Sequence, residues 1–209
     1  MAGQTISLKS LARVLTLVAL LLFLLPWAAV SCSPEALEPA GGREMAGAPT
    51  TEIARPTGLE LALGTVELEK ASAPRANAPP PPFSTPDPLL IAAALLIALS
   101  LAASILLRGA IGHLTAAGGL VLAGALSCYT MLVRVPKAVH AYFDALVASQ
   151  GPNGPPVDPA KLAQMIQVGV EPGFWQMIAV LAAAVVLLLL SMPARSVAVD
   201  ADPAEPSAG

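Results

Sequence analysis

Charge is what this sequence has least of. Only 12% of its 209 residues are Asp, Glu, Lys or Arg, against about 25% in a soluble globular domain. Aromatic residues make up 4%, too little material for a large aromatic core. Cysteine and histidine each occur twice. His113 and His140 are expected far apart, so the three or four convergent ligands of a metal site do not assemble. The net charge is −3 and no basic stripe interrupts the chain, so no nucleic acid is expected as a partner.

The missing charge is absent from four blocks: Val14 to Val30, Leu89 to Leu107, Ala110 to Val133 and Phe174 to Met192. At about 1.5 Å of rise per residue, roughly 20 apolar residues cross the hydrocarbon core of a bilayer. Backbone groups cannot stay unpaired in lipid, so helix is the natural state of each block. The period-two alternation of a membrane barrel is missing. The expected fold is an all-α membrane protein, a four-transmembrane-helix bundle with a small extracytoplasmic cap.

The expected division runs as follows. Residues 1–13 form a cytoplasmic N-terminus and 14–30 the first membrane helix, residues 31–87 a Pro-rich extracytoplasmic loop, and 88–108 and 109–133 the second and third membrane helices. Residues 134–173 form an extracytoplasmic helical hairpin, 174–192 the fourth membrane helix and 193–209 a disordered cytoplasmic tail. The first block has a second reading as a signal peptide, with a basic start, an apolar centre and small residues at its end. Ala29-Val30-Ser31-Cys32 resembles a bacterial lipoprotein cleavage box, which makes Cys32 an alternative lipidation site.

Orientation follows from basic residues, which favour the cytoplasmic side. Lys9 and Arg13 precede the first block, whereas Glu35 and Glu38 follow it. Both termini are then inside. Arg134 and Lys137 count against this, because they fall at an outer end, where they are expected to snorkel to head groups. In the first outer segment, Pro79 to Pro82 favours an extended spacer. Leu59, Leu61 and Leu63 alternate with Glu60 and Ala62, which suggests a short strand, with an amphipathic helix as the alternative. In the second, Val139, Tyr142, Phe143, Leu146 and Val147 recur at helical spacing and predict an amphipathic helix over about 136–149. Asp158 and Pro159 then start a second short helix with Leu162, Met165 and Ile166 on its apolar side.

No acidic or basic residue lies in the central part of any apolar block, which disfavours ion-coupled transport and intramembrane proteolysis. His113 near an inner end is read as interfacial rather than as a proton carrier, and His140 with Asp144 as a surface ion pair rather than a catalytic dyad. Small residues at Ala94, Ala98 and Ala102, and at Gly112, Ala116, Gly119 and Ala123, mark faces where helices approach closely. No catalytic, cofactor-binding or metal residue is assigned. Cys32 and Cys128 fall near the outer face and are a candidate disulfide, with two unrelated thiols as the alternative.

Leu25-Pro26-Trp27, Val30-Ser31-Cys32, Gly58 to Gly64 and Glu171-Pro172-Gly173-Phe174-Trp175 together resemble a group of small, uncharacterised bacterial multi-pass proteins. The resemblance implies a bacterial cytoplasmic membrane location and brings no activity with it. The expected function is that of a non-enzymatic accessory or interaction protein of the envelope, without cofactors. Its expected partners are the lipid bilayer and a membrane protein or a second copy. The alternatives are a transport or channel component, or a lipoprotein-like sensor lipidated at Cys32.

Overall fold

The structure, a computed structural model, describes residues 7–32, 51–66, 80, 82–107, 109–149 and 166–192. They are mostly helical. Three helices are long and apolar enough to cross a membrane: Pro88–Leu106, Gly109–Leu146 and Pro172–Leu190. Large apolar side chains stand outward on them, with Leu106 76% and Ile111 74% exposed. An aqueous surface rarely tolerates so continuous an apolar face.

The first helix, α1, spans Leu8–Leu21 and ends in a 3-10 turn at Leu22–Leu24. It is shorter than the expected block 14–30. Pro26 is the reason: it pushes the residue before it out of the helical region, and Leu25 is extended. The chain then enters a strand, β1, at Ala28–Cys32. Strand β2 is Thr51–Ala54 and strand β3 is Ile166–Val170. They form an antiparallel sheet in the order β2-β1-β3. The all-α expectation is corrected here, and so is the helical assignment of Ile166. Asp158, Pro159, Leu162 and Met165, the rest of that expected helix, lie outside the described residues.

Helix α2, Gly58–Leu63, replaces the strand suggested for that stretch. A reciprocal cap decides it. Thr57 Oγ1 accepts from Glu60 N at 3.1 Å, and Thr57 N donates to Glu60 Oε2 at 2.8 Å, so two orphan donors are satisfied at once. Gly64 closes α2 with φ 70°, and a side chain there would run into the backbone of Thr85 and Pro86. Gly64→Val should therefore cost at least about 1–2 kcal/mol from the left-handed backbone alone. Thermal unfolding in detergent measures it, and an unchanged midpoint would refute this account of the turn.

Helix α3, Pro88–Leu106, is capped by Asp87 and runs to the end of its apolar block. Helix α4, Gly109–Tyr129, passes through a π turn at Thr130–Arg134 into α5, Val135–Ser149. The third span and the outer amphipathic helix are thus one continuous helix. Pro136 accounts for the turn. Its ring opposes the carbonyl four residues back, and widening the helix there relieves the clash. Helix α6 is Pro172–Leu190.

Helix α1 packs on α6 and α3, and α4 packs on α3 and α6. Leu90, Ala93, Ile97, Ala116, Leu120, Ala123, Met177 and Leu181 fill the space between them. The α4 stripe is as expected, with Gly112, Ala116 and Ala123 buried. On α3 the buried residues are Leu90, Ala93, Ile97, Ser100 and Ser104; of the expected small residues Ala94 is half-buried against the core, whereas Ala98 is exposed. A larger residue at Gly119 would collide with the Ser100 hydroxyl, so α3 and α4 approach closely there.

Candidate functional site

Two places concentrate polar groups where apolar helices end. The first lies where α3 begins and α4 gives way to α5. Asp87 Oδ1 accepts from Leu89 N at 2.8 Å and Leu90 N at 3.2 Å, which satisfies two free donors of the first turn of α3. The same carboxylate takes Arg134 Nη1, at 3.1 Å through Oδ1 and 2.9 Å through Oδ2. The charge of Arg134 is thus met by the cap of a neighbouring helix.

A notch of about 130 Å³ opens beside this pair, walled by Leu61, Phe83, Leu90, Val135 and Ala138. Phe83 holds φ 67°, unusual for a side chain with a Cβ. Thr130 also lines the notch and is 1% exposed. Among the described residues its hydroxyl has no hydrogen-bond partner. The π turn itself is built on Thr130, whose carbonyl accepts from Val135 N five residues on. The sequence signal for this site was Pro136 inside an otherwise helical run, and its meaning was missed.

The second place is at the opposite ends of the same helices. Arg13 Nη2 donates to the carbonyl of Ser104, near the end of α3. His113, about one turn into α4, is 6% exposed. Its Nδ1 lies 2.9 Å from the Gly109 carbonyl, and its Nε2 meets no described partner. Ser127, one turn before Thr130, is likewise buried with its hydroxyl unmet among the described residues.

Beyond the helix ends, the sheet, α2 and α5 are knit together around Trp27. The indole is fully buried and donates from Nε1 to Leu22 O at 3.0 Å. Its backbone donates to Pro56 O at 3.0 Å and accepts from Glu171 N at 2.9 Å. Phe23 and Phe174 stack on it with ring centroids 4.4 and 5.5 Å away. The other tryptophan, Trp175, is 50% exposed. On the rim, Arg55 bonds Glu171 at 2.9 Å and stands 3.6 Å from Glu52. The hydrogen bond and charge of Glu171 raise the already high Arg55 pKa, with Glu52 adding to it.

No family model, curated protein or solved structure matches this chain. The site is therefore interpreted from its own residues. No group of three His, Cys, Asp or Glu among the described residues could hold a metal ion. His140 and Asp144 do not form the expected ion pair; the described pairs are Arg55 with Glu52 and Glu171, and Arg134 with Asp87. Cys128 is a free thiol. The side chain of Cys32, the other half of the candidate disulfide, lies outside the described residues.

Proposed function

We propose that this chain is a four-span protein of the bacterial cytoplasmic membrane that presents a small folded platform on the outer side. It would act there as a non-enzymatic accessory or interaction protein of the envelope. The observation that carries this reading is the alternation of helix directions. Arg13 near the start of α1 meets Ser104 near the end of α3. Asp87 at the start of α3 meets Arg134 at the end of α4. Phe23 and Trp27 after α1 meet Phe174 at the start of α6. The sheet, α2 and α5 therefore gather at one end, and Lys9 and Arg13 lie at the other. Basic residues on the far side from the platform favour a cytoplasmic N-terminus.

The 14-residue α1 is short for a span, but its 3-10 turn extends it towards the platform. The close apolar packing between the helices favours a scaffold over a transport path. Lipidation at Cys32 fits poorly with this arrangement. Cleavage before that residue would remove α1, Trp27 and all of β1 but its last residue, and with them the centre of the sheet. Reporter fusions at Gly41 and Gly154 should read as outside, and those at Arg108 and the C-terminus as inside. The reverse pattern would sink the proposed topology.

A further inference from the structure

Positive charge gathers at the end of the helices away from the sheet. Lys9 and Arg13 lie on α1, and Arg108 and Arg195 follow α3 and α6 in sequence. No Asp or Glu occurs in residues 1–34, 88–143 or 172–199. The ion pairs among the described residues involve Arg55 and Arg134, at the other end. Lys9 and Arg13 are four residues apart on one face of α1, and both are half-buried. That face looks towards α3, because Arg13 Nη2 donates to the Ser104 carbonyl, one of those that the end of α3 leaves without an intrahelical partner. Arg13 Nε is sealed from the surface and takes no part, whereas Nη1 has no partner among the described residues and stays open. Lys9 lies about 6 Å further out by the helical rise. It stands in the first turn of α1, where no acidic residue offsets the positive end of the helix. Two cations one turn apart therefore meet no carboxylate among the described residues.

A cation at the edge of the hydrocarbon is costly without a counter-charge, and depth selects which anion supplies it. Ser104 lies within the last turn of α3, so Arg13 reaches the boundary of the apolar layer and Lys9 stands just beyond it. In the orientation proposed above, that boundary is the inner leaflet. The anion abundant there is the phosphate of a phospholipid. Leu17, one turn deeper than Arg13 on α1, and Ile105, beside Ser104, stand exposed below it. Two cations around one phosphate favour a lipid of net negative charge, because the ammonium of a zwitterionic lipid would meet the same cations. We propose that Lys9 and Arg13 hold the phosphate of an anionic phospholipid of the inner leaflet. Arg13 Nη1 and Lys9 Nζ donate to the phosphate oxygens, and the first chain carbons lie on Leu17 and Ile105. This inference rests on the membrane placement proposed above. The acids that come next in sequence, Asp200, Asp202 and Glu205, lie outside the described residues and are the rival counter-charge.

Native mass spectrometry of the full chain in mild detergent, with equal amounts of phosphatidylglycerol and phosphatidylcholine, tests it. Wild type should retain phosphatidylglycerol in preference. Lys9→Gln and Arg13→Gln should each weaken that retention about fivefold, the equivalent of about 1 kcal/mol for one basic residue at an anionic surface. Lys9→Gln is the safer variant if Arg13→Gln, which disturbs the contact with Ser104, loses helicity. Lys137→Gln, an exposed cation on α5 at the other end, should change nothing. Equal retention in wild type and in folded Lys9→Gln and Arg13→Gln, or no preference between the two lipids, overturns the proposal. Neutralising Asp200, Asp202 and Glu205 together should leave retention within twofold; a gain of fivefold or more shows that the tail already holds these cations and overturns it too. Full displacement by millimolar glycerol 3-phosphate overturns the lipid assignment in favour of a free phosphate ester. Alkaline carbonate separates the two levels: release of the chain from membranes sinks the membrane reading itself, whereas a membrane-retained chain with unresponsive lipid binding sinks only the Lys9–Arg13 site.

Discussion

Trp27→Ala should be the most damaging single substitution in the sheet-bearing half of the protein, costing about 3–5 kcal/mol. The indole is fully buried, so its loss leaves a cavity bounded by Phe23, Phe174 and Gly58, none of which can fill it by a rotamer change alone. A Cβ on Gly58 would already collide with the ring, which shows how closely α2 is laid on it. The indole N–H also donates to Leu22 O, the carbonyl that accepts from Leu25 N in the 3-10 turn, and this second bond would be lost. Thermal unfolding in detergent should show a large fall in midpoint, while Trp175→Ala, half exposed, should show little. Similar small effects from both substitutions would remove Trp27 from the centre of the fold.

Val139→Asp should detach α5 from the sheet. Val139 is fully buried and packs on Val30 and Ile166, with Phe143 half-buried beside it. No basic residue stands in that cluster to pair with the new carboxylate, so its burial costs several kcal/mol or the contact opens. Opening is the easier route, because α5 projects beyond the apolar span and is held mainly by this one patch. Limited proteolysis should then cut near residue 149 far faster than in wild type, with helicity in detergent nearly unchanged. Phe143→Asp should act in the same direction but more weakly. Protease resistance equal to wild type would show that α5 is held some other way.

The long apolar helices were legible because lipid-facing composition is a property of each segment alone. Blocks 89–107 and 174–192 each coincide with a helix to within a few residues, and block 110–133 with the first part of the continuous α4–α5 helix. The amphipathic face of α5 was legible for the same reason, although the side chain of Val147 lies outside the described residues. The sheet was not legible. Ala28 to Cys32 is short and apolar, and such a run continues a preceding helix unless something distant pairs with it. Here the partners are Thr51–Ala54 and Ile166–Val170, and no local pattern announces either. In Gly58–Leu63 the alternation of apolar residues lost to a capping box, a local signal that Thr57 and Glu60 did carry. At the notch, Arg134 was read as a lone charge because its partner Asp87 lies 47 residues earlier in sequence.

The strand order has a consequence for biosynthesis. β1 emerges directly behind the first helix, but one of its two partners is the last structured segment before α6. Until that segment is made, one edge of β1 and much of the Trp27 indole stay open, and long-range strand pairing of this kind is slow and exposed to misassembly. The sheet therefore closes as a seam between distant parts of the chain, and only after the helices between them have been made. A chain that stalls before β3 is left with an unpaired strand edge and an exposed tryptophan for quality-control proteases to find.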